Sequence, residues 1–169
     1  PCPIIAVTGS DGKTTTTTVI AEMLRAAGRR VFLGGNIGTP LLDRTGEMSA
    51  DDLCVLELSS FQLMSMRQSP HIAVVTNLAP NHLDVHRGME EYVDAKRNIF
   101  RFQAPDDVLV LNLDNAVTRS FAAESRAEVR FFSRLDRPVH GVWLDGTRIV
   151  CDGQELMNRS DIRIPGDHN

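Results

Sequence analysis

One junction near the start constrains this chain more than any other feature. Ile4-Ile5-Ala6-Val7 is a continuous apolar run that leads into Thr8-Gly9-Ser10-Asp11-Gly12-Lys13-Thr14. Val19, Ile20, Met23, Leu24 and Ala27 then recur at helical spacing, and Gly28 stands where a helix would close. A strand apolar at every position is covered on both faces, and a strand passing through a glycine-rich turn into a helix opens a βαβ unit. Such a turn gathers backbone N–H groups around phosphate oxygens, and the helix N-terminus adds partial positive charge. Lys13 is placed to reach the terminal phosphates, and the Thr14 hydroxyl to bind Mg²⁺. The spacing G-x-x-G-K-T is two residues shorter than the general G-x-x-x-x-G-K-[ST] loop, and Val7 holds the position of that loop's first glycine. A chance glycine-rich turn is the competing explanation, and the strand before and helix after count against it. Thr14 to Thr18 form a run of five threonines. β-Branched residues open a helix at a local cost, which nearby phosphate and metal explain for the first one or two.

The alternation continues. Val31-Phe32-Leu33, Leu53 to Leu58, Ile72 to Val75 and Val108 to Leu111 read as further buried strands, and Met89 to Phe102 and Ala116 to Glu124 as helices. The pattern predicts an α/β fold, a mostly parallel P-loop-type sheet flanked by helices. After about Glu128 the runs shorten to Val129–Phe132, Val142–Leu144 and Arg148–Val150, punctuated by Asp145-Gly146 and Asp152-Gly153. Asp-Gly is a hairpin signal, so a small antiparallel extension is expected near the C-terminal end. At 169 residues the chain suits one domain. Both ends look cut, which predicts a piece of a longer protein.

A formal charge of −4 gives no basic surplus, which argues against nucleic acid or an anionic membrane as partner. No apolar run approaches the roughly 20 residues needed to span a bilayer, and no signal-peptide pattern opens the chain. The three cysteines are odd in number and widely spaced, as expected of small buried side chains in a reducing compartment. The cytoplasm is the expected location.

Other positions carry chemistry. Glu57 closes an apolar strand, where ligands of open α/β sheets collect, and a carboxylate suits a hard cation. The alternative is an ordinary acid facing water. Ser59 and Ser60 follow and either meet a substrate or cap the next helix. His82 lies in a loop after a strand, with Asp84 and His86 as weaker candidates. Lys96 interrupts the apolar stripe Met89, Tyr92, Val93, Ile99, Phe100. It either snorkels to water or is a buried amine of lowered pKa. Gly34-Gly35-Asn36-Ile37-Gly38 permits close approach of a ligand, or is simply a turn.

Taken together, the phosphate loop, Gly35-Asn36-Ile37-Gly38, Glu57-Leu58-Ser59-Ser60-Phe61-Gln62-Leu63, Asn77 through His86, Ala95-Lys96-Arg97-Asn98-Ile99-Phe100 and Gly166-Asp167-His168-Asn169 resemble the Mur ligase family. Within it they are most similar to the D-glutamate-adding members. The shortened phosphate loop is what this family carries, while Asp11 departs from the common asparagine. The resemblance implies the central ATP-binding domain (1–169) of a three-domain enzyme, without its N-terminal UDP-binding and C-terminal amino-acid-binding domains. It implies an ATP- and Mg²⁺-dependent ligase that joins D-glutamate to a UDP-linked muramoyl substrate through an acyl phosphate, with the isolated domain inactive in ligation.

By the same resemblance, Gly9, Ser10, Asp11, Gly12, Lys13, Thr14, Thr15 and Asn169 bind ATP. Lys13, His82 and Lys96 are catalytic. Thr14, Glu57, His82 and Lys96, the last as a carbamate, serve the metals, and Asn36 and Ser59 face the UDP-linked substrate. Another Mur ligase or a folylpolyglutamate-type ligase keeps the fold with a different substrate. A regulatory P-loop NTPase is disfavoured by the short loop and by Asn112-Leu113-Asp114, which lacks the lysine of a guanine motif.

Overall fold

The computed structural model describes residues 2–38, 40–79 and 88–164. Among them, strands β1 (Ile4–Thr8), β2 (Val31–Gly35), β3 (Leu53–Glu57), β4 (Ile72–Val75), β5 (Val108–Asn112), β6 (Glu128–Ser133), β7 (Gly141–Asp145), β8 (Arg148–Cys151) and β9 (Gln154–Asn158) form one sheet. Its order is β2-β3-β1-β4-β5-β6-β7-β8-β9, parallel from β2 through β7. Among the described residues four α-helices accompany it: α1 (Lys13–Ala26), α2 (Ser60–Ser65), α3 (Met89–Arg97) and α4 (Ala116–Ser120).

Successive side chains of a strand point to opposite faces, and both faces are covered around β1. Ile5 and Val55 pack with Ala21, Ile20 and Leu24 of α1. Ala6, Ala73, Leu109 and Leu111 pack on the other face with Leu63, Tyr92, Val93, Ile99 and Phe121. That double coverage is why these strands are apolar at nearly every position. The chain leaves β1 toward β2 on one side and crosses from β3 to β4 on the other. The carboxyl ends of β1, β3 and β4 therefore meet at a point where the strand order reverses, the usual ligand position in such sheets.

Three expectations are corrected. The helix expected over 89–102 ends at Arg97, and Asn98, Ile99 and Phe100 donate to carbonyls three residues back at 3.1–3.2 Å. Here tertiary packing wins, because Asn98 is drawn onto the Leu63 carbonyl at 2.8 Å while Ile99 and Phe100 both enter the core. The helix expected over 116–124 is α-helical to Ser120 and then tightens into a 3₁₀ turn at Phe121–Ala123. β6 and β7 are parallel, so the antiparallel extension begins one connection later than expected. No Asp-Gly follows β6. Instead the Ser133 hydroxyl donates to Asp114 and the backbone N–H groups of Leu135 and Asp136 donate to the Ser133 Oγ, turning the chain back along the strand.

The two later hairpins are as expected. Gly146-Thr147 joins β7 to β8, and Asp152-Gly153, at φ 47° and 88°, joins β8 to β9 in the manner of a type I′ turn. No helix of the described residues is long and apolar enough to cross a membrane.

Candidate active site

The phosphate loop is pressed against the exit of β4. At Gly9 (φ +154°) a Cβ would fall 2.0 Å from Thr76 Oγ1, so no larger residue fits without displacing that neighbour. Thr76 donates its hydroxyl to the Asp11 carbonyl at 2.7 Å. Asn77 accepts the Ser10 N–H on its backbone oxygen at 2.8 Å and the Asp11 N–H on Oδ1 at 2.9 Å. Two loop N–H groups are therefore engaged within the protein, which narrows the expectation that the whole loop turns its amides inward. The donors left to an anion belong to the start of α1. That helix is capped by Gly12, has no capping side chain and has no acid in its first turn. Unpaired first-turn N–H groups and the helix dipole suit this end to an anion.

Lys13, Thr14, Glu57 and Asn36 converge beside it. The Lys13 ammonium donates to the Ser10 carbonyl at 2.8 Å. The Thr14 hydroxyl donates to Glu57 Oε2 at 2.6 Å, and the Asn36 amide to Oε1 at 2.9 Å. Glu57 is only 2% exposed, so the alternative of a strand-end acid facing water fails. A buried carboxylate carries a desolvation cost that two neutral donors only partly offset. A hydroxyl and a carboxylate side by side next to an anion site are the hard oxygen donors that Mg²⁺ takes. The threonine run is partly explained as well. Thr17 is fully buried and donates to the Lys13 carbonyl at 2.7 Å, while Thr15 and Thr18 are exposed.

Lys96 does not snorkel. It is 2% exposed, and its Nζ donates to Thr8 Oγ1 at 2.8 Å and to the Gly9 carbonyl at 3.3 Å. The Thr8 hydroxyl in turn donates to the Leu58 carbonyl at 2.7 Å. Burial, reinforced by the Lys13 charge and opposed by Glu57, lowers the Lys96 amine to about 7. A sizeable neutral fraction at physiological pH follows. One helical turn earlier, the Tyr92 hydroxyl lies 3.0 Å from Ser10 Oγ, which also accepts the Ala79 N–H at 2.9 Å and donates to the Ala79 carbonyl at 3.1 Å. Helix α3 therefore grips the phosphate loop at two points.

The Ser59 hydroxyl accepts the Gln62 N–H at 3.3 Å in a capping box that opens α2, which meets the capping role expected of it. Asp11 is exposed and accepts a long 3.4 Å hydrogen bond from the Asn77 amide. His82, with Asp84 and His86, and Asn169 lie outside the described residues. Thr8, Asn77 and Tyr92 were not singled out from the sequence as site residues. Tyr92 had a usable signal, since it stands four residues before Lys96 on the same stripe and a buried tyrosine hydroxyl needs a partner. Thr8 and Asn77 stand inside stretches that carry the family resemblance, but their own contacts leave no local pattern, because the partners are more than 80 and 60 residues away in sequence, respectively.

The pattern that defines the Mur ligase middle domain matches residues 7–169. A UDP-N-acetylmuramoylalanine–D-glutamate ligase from Acetivibrio thermocellus is 56% identical over 173 residues, covering 100% of this chain and 37% of the relative. The chain thus spans little more than a third of that relative's length. Among solved structures, a UDP-N-acetylmuramate:L-alanyl-γ-D-glutamyl-meso-diaminopimelate ligase from Neisseria meningitides superposes with a TM-score of 0.66 at 20% identity, over 94% of this chain and 57% of the other. A MurF ligase from Thermotoga maritima, in complex with ADP, gives 0.63 at 21% identity, over 89% of this chain and 39% of the other. At these identities the structural likeness speaks for the fold.

Proposed function

Because this chain belongs to the Mur ligase family, matching its middle domain over residues 7–169, we propose that it is the nucleotide-binding core of a three-domain, cytoplasmic enzyme that adds D-glutamate to UDP-N-acetylmuramoyl-L-alanine. The observation that carries the reading is the uncapped start of α1 with Lys13 beside it and, alongside, the exposed Thr14 hydroxyl bonded to the buried Glu57 carboxylate. The 56% identical relative supports D-glutamate as the amino acid.

In the proposed reaction a carboxylate oxygen of the UDP-linked substrate attacks the γ-phosphorus of ATP. The bond to ADP breaks and an acyl phosphate forms. The amine of D-glutamate then attacks the acyl carbon, loses a proton and expels inorganic phosphate, leaving an amide. Phosphoryl transfer needs positioning and charge neutralisation more than covalent help. The N–H groups that open α1 hold phosphate oxygens, with Gly9 to Thr15 forming the cradle. Lys13 offsets the charge that develops as the phosphoryl group moves. Thr14 and Glu57 hold Mg²⁺, which when bound supplies further neutralisation of the phosphates.

Lys96 is placed for a second task. A neutral amine captures CO₂ by forming an N–C bond and releasing a proton, which turns a buried base into a carboxylate-like anion. Its family resemblance assigns that anion, with His82, to a second metal. Asn169 belongs near the nucleotide, and Asn36 and Ser59 near the UDP-linked substrate.

The test uses the three-domain enzyme with ATP, Mg²⁺, UDP-N-acetylmuramoyl-L-alanine and a panel of amino acids, with phosphate release as the readout. Release that requires both the muramoyl substrate and D-glutamate is the expected result. Release driven by another amino acid would redirect the assignment to another ligase, and release with neither acceptor would favour a regulatory NTPase.

A further inference from the structure

We propose that Asn36 is a positioning residue for the Glu57 carboxylate, setting it for a divalent cation, an inference that rests on reading Glu57 as a metal-holding residue. Asn36 grips Glu57 at two places. Its backbone N–H donates to the Glu57 carbonyl at 2.8 Å, and its side-chain amide donates to Oε1 at 2.9 Å. The first grip depends on the residue before it. Gly35 lies opposite Glu57 in the β2–β3 pairing, at φ +98°, and a Cβ there would fall 2.1 Å from the Glu57 carbonyl oxygen. Only glycine lets the end of β2 lie this close, and the close approach brings the next side chain over the carboxylate.

The second grip fixes orientation. Thr14 donates to Oε2 at 2.6 Å while Asn36 donates to Oε1, so each carboxylate oxygen has one side-chain donor and keeps a lone pair for a cation. Glu57 is 2% exposed, whereas Asn36 and Thr14, which hold its two oxygens, are both exposed. Groups that hold a metal ligand in one orientation typically matter by ~10–100-fold in metal affinity. A contact with the UDP-linked substrate alone would affect that substrate and leave metal-dependent nucleotide binding untouched, so the two roles are separable.

The experiment measures ADP binding to the three-domain enzyme by calorimetry, without the UDP-linked substrate, across a Mg²⁺ series and in EDTA. Asn36→Leu removes the donor at similar volume, and Asn36→Ala removes it by deletion only. Both should raise the Mg²⁺ concentration at half-maximal enhancement of ADP binding by about tenfold, with the Kd in EDTA unchanged. An unmoved Mg²⁺ midpoint, or an equal loss in EDTA, would overturn the proposal. Glu57→Gln separates the two layers of the argument. If it too leaves the midpoint in place, the metal reading of Glu57 fails. If it shifts the midpoint and the Asn36 variants do not, the positioning role alone fails.

Discussion

The two halves of the sheet use polar side chains in opposite ways. At the carboxyl ends of β1, β3 and β4, Thr8, Glu57 and Lys96 are at most 2% exposed, and their partners are hydroxyls, an amide and backbone carbonyls. At the antiparallel edge the charges pair with each other in solvent. Arg130 meets Asp152 at 3.0 Å, Arg148 meets Asp145 at 2.8 Å, and all four side chains are at least 40% exposed. Exposed pairs of this kind contribute ~0–1 kcal/mol, because water already solvates each partner well. Buried polar groups carry a desolvation cost, and a fold keeps them where chemistry needs them. Charge density alone would point to the edge, and burial points to the site.

The largest expected effect is at the buried end. Lys13→Ala in the proposed three-domain enzyme should lower turnover by ~10²–10³ with circular dichroism unchanged, since in the proposed mechanism the lost charge acts mainly on the transferring phosphoryl group. Near-normal turnover would remove the distinction between the two halves.

Lys96 tests the same contrast through stability. Its amine titrates at about 7 in the fold against an ordinary value of 10.5. Between those values the unfolded chain holds the extra proton, so this residue's contribution to stability rises with pH from about 7 toward 10.5 and is flat below 7. In CO₂-free buffer, wild type should therefore gain in Tm on Lys96→Met across that window. Parallel curves would mean that the amine is solvated. In turnover, Lys96→Ala should be nearly inactive, and a short carboxylate added in solution should restore part of the rate. A variant as active as wild type would argue against the carbamate.

The smallest effect is expected at the edge. Arg148→Ala removes one partner of an exposed pair and should shift unfolding free energy by less than about 1 kcal/mol, with turnover unchanged. A larger loss in denaturant unfolding would show that the antiparallel edge stabilises the whole sheet.

Legibility in the sequence follows the same division. The strands around β1 were readable because double coverage makes them apolar throughout, and the hairpins because Asp-Gly has few other uses. The direction of β6 against β7 was not readable, because Ser133 and Asp114, which turn the chain, are 19 residues apart. The site divides likewise. Lys13 and Thr14 announce themselves by local spacing, and Lys96 by breaking an apolar stripe. The grip of Asn36 on Glu57 spans 21 residues and that of Asn77 on Asp11 spans 66, so neither leaves a local pattern.

The most direct test of the central claim follows one oxygen atom. The three-domain enzyme would be given UDP-N-acetylmuramoyl-L-alanine labelled with ¹⁸O in its free carboxylate, together with ATP, Mg²⁺ and D-glutamate. Mass spectrometry would then be used to read the released phosphate. Attack of the carboxylate on ATP, followed by attack of the amine on the acyl carbon, predicts one ¹⁸O in each phosphate. Phosphate carrying no label, or oxygen drawn from the solvent, would mean that water attacks the nucleotide and that this buried cluster serves hydrolysis instead of ligation.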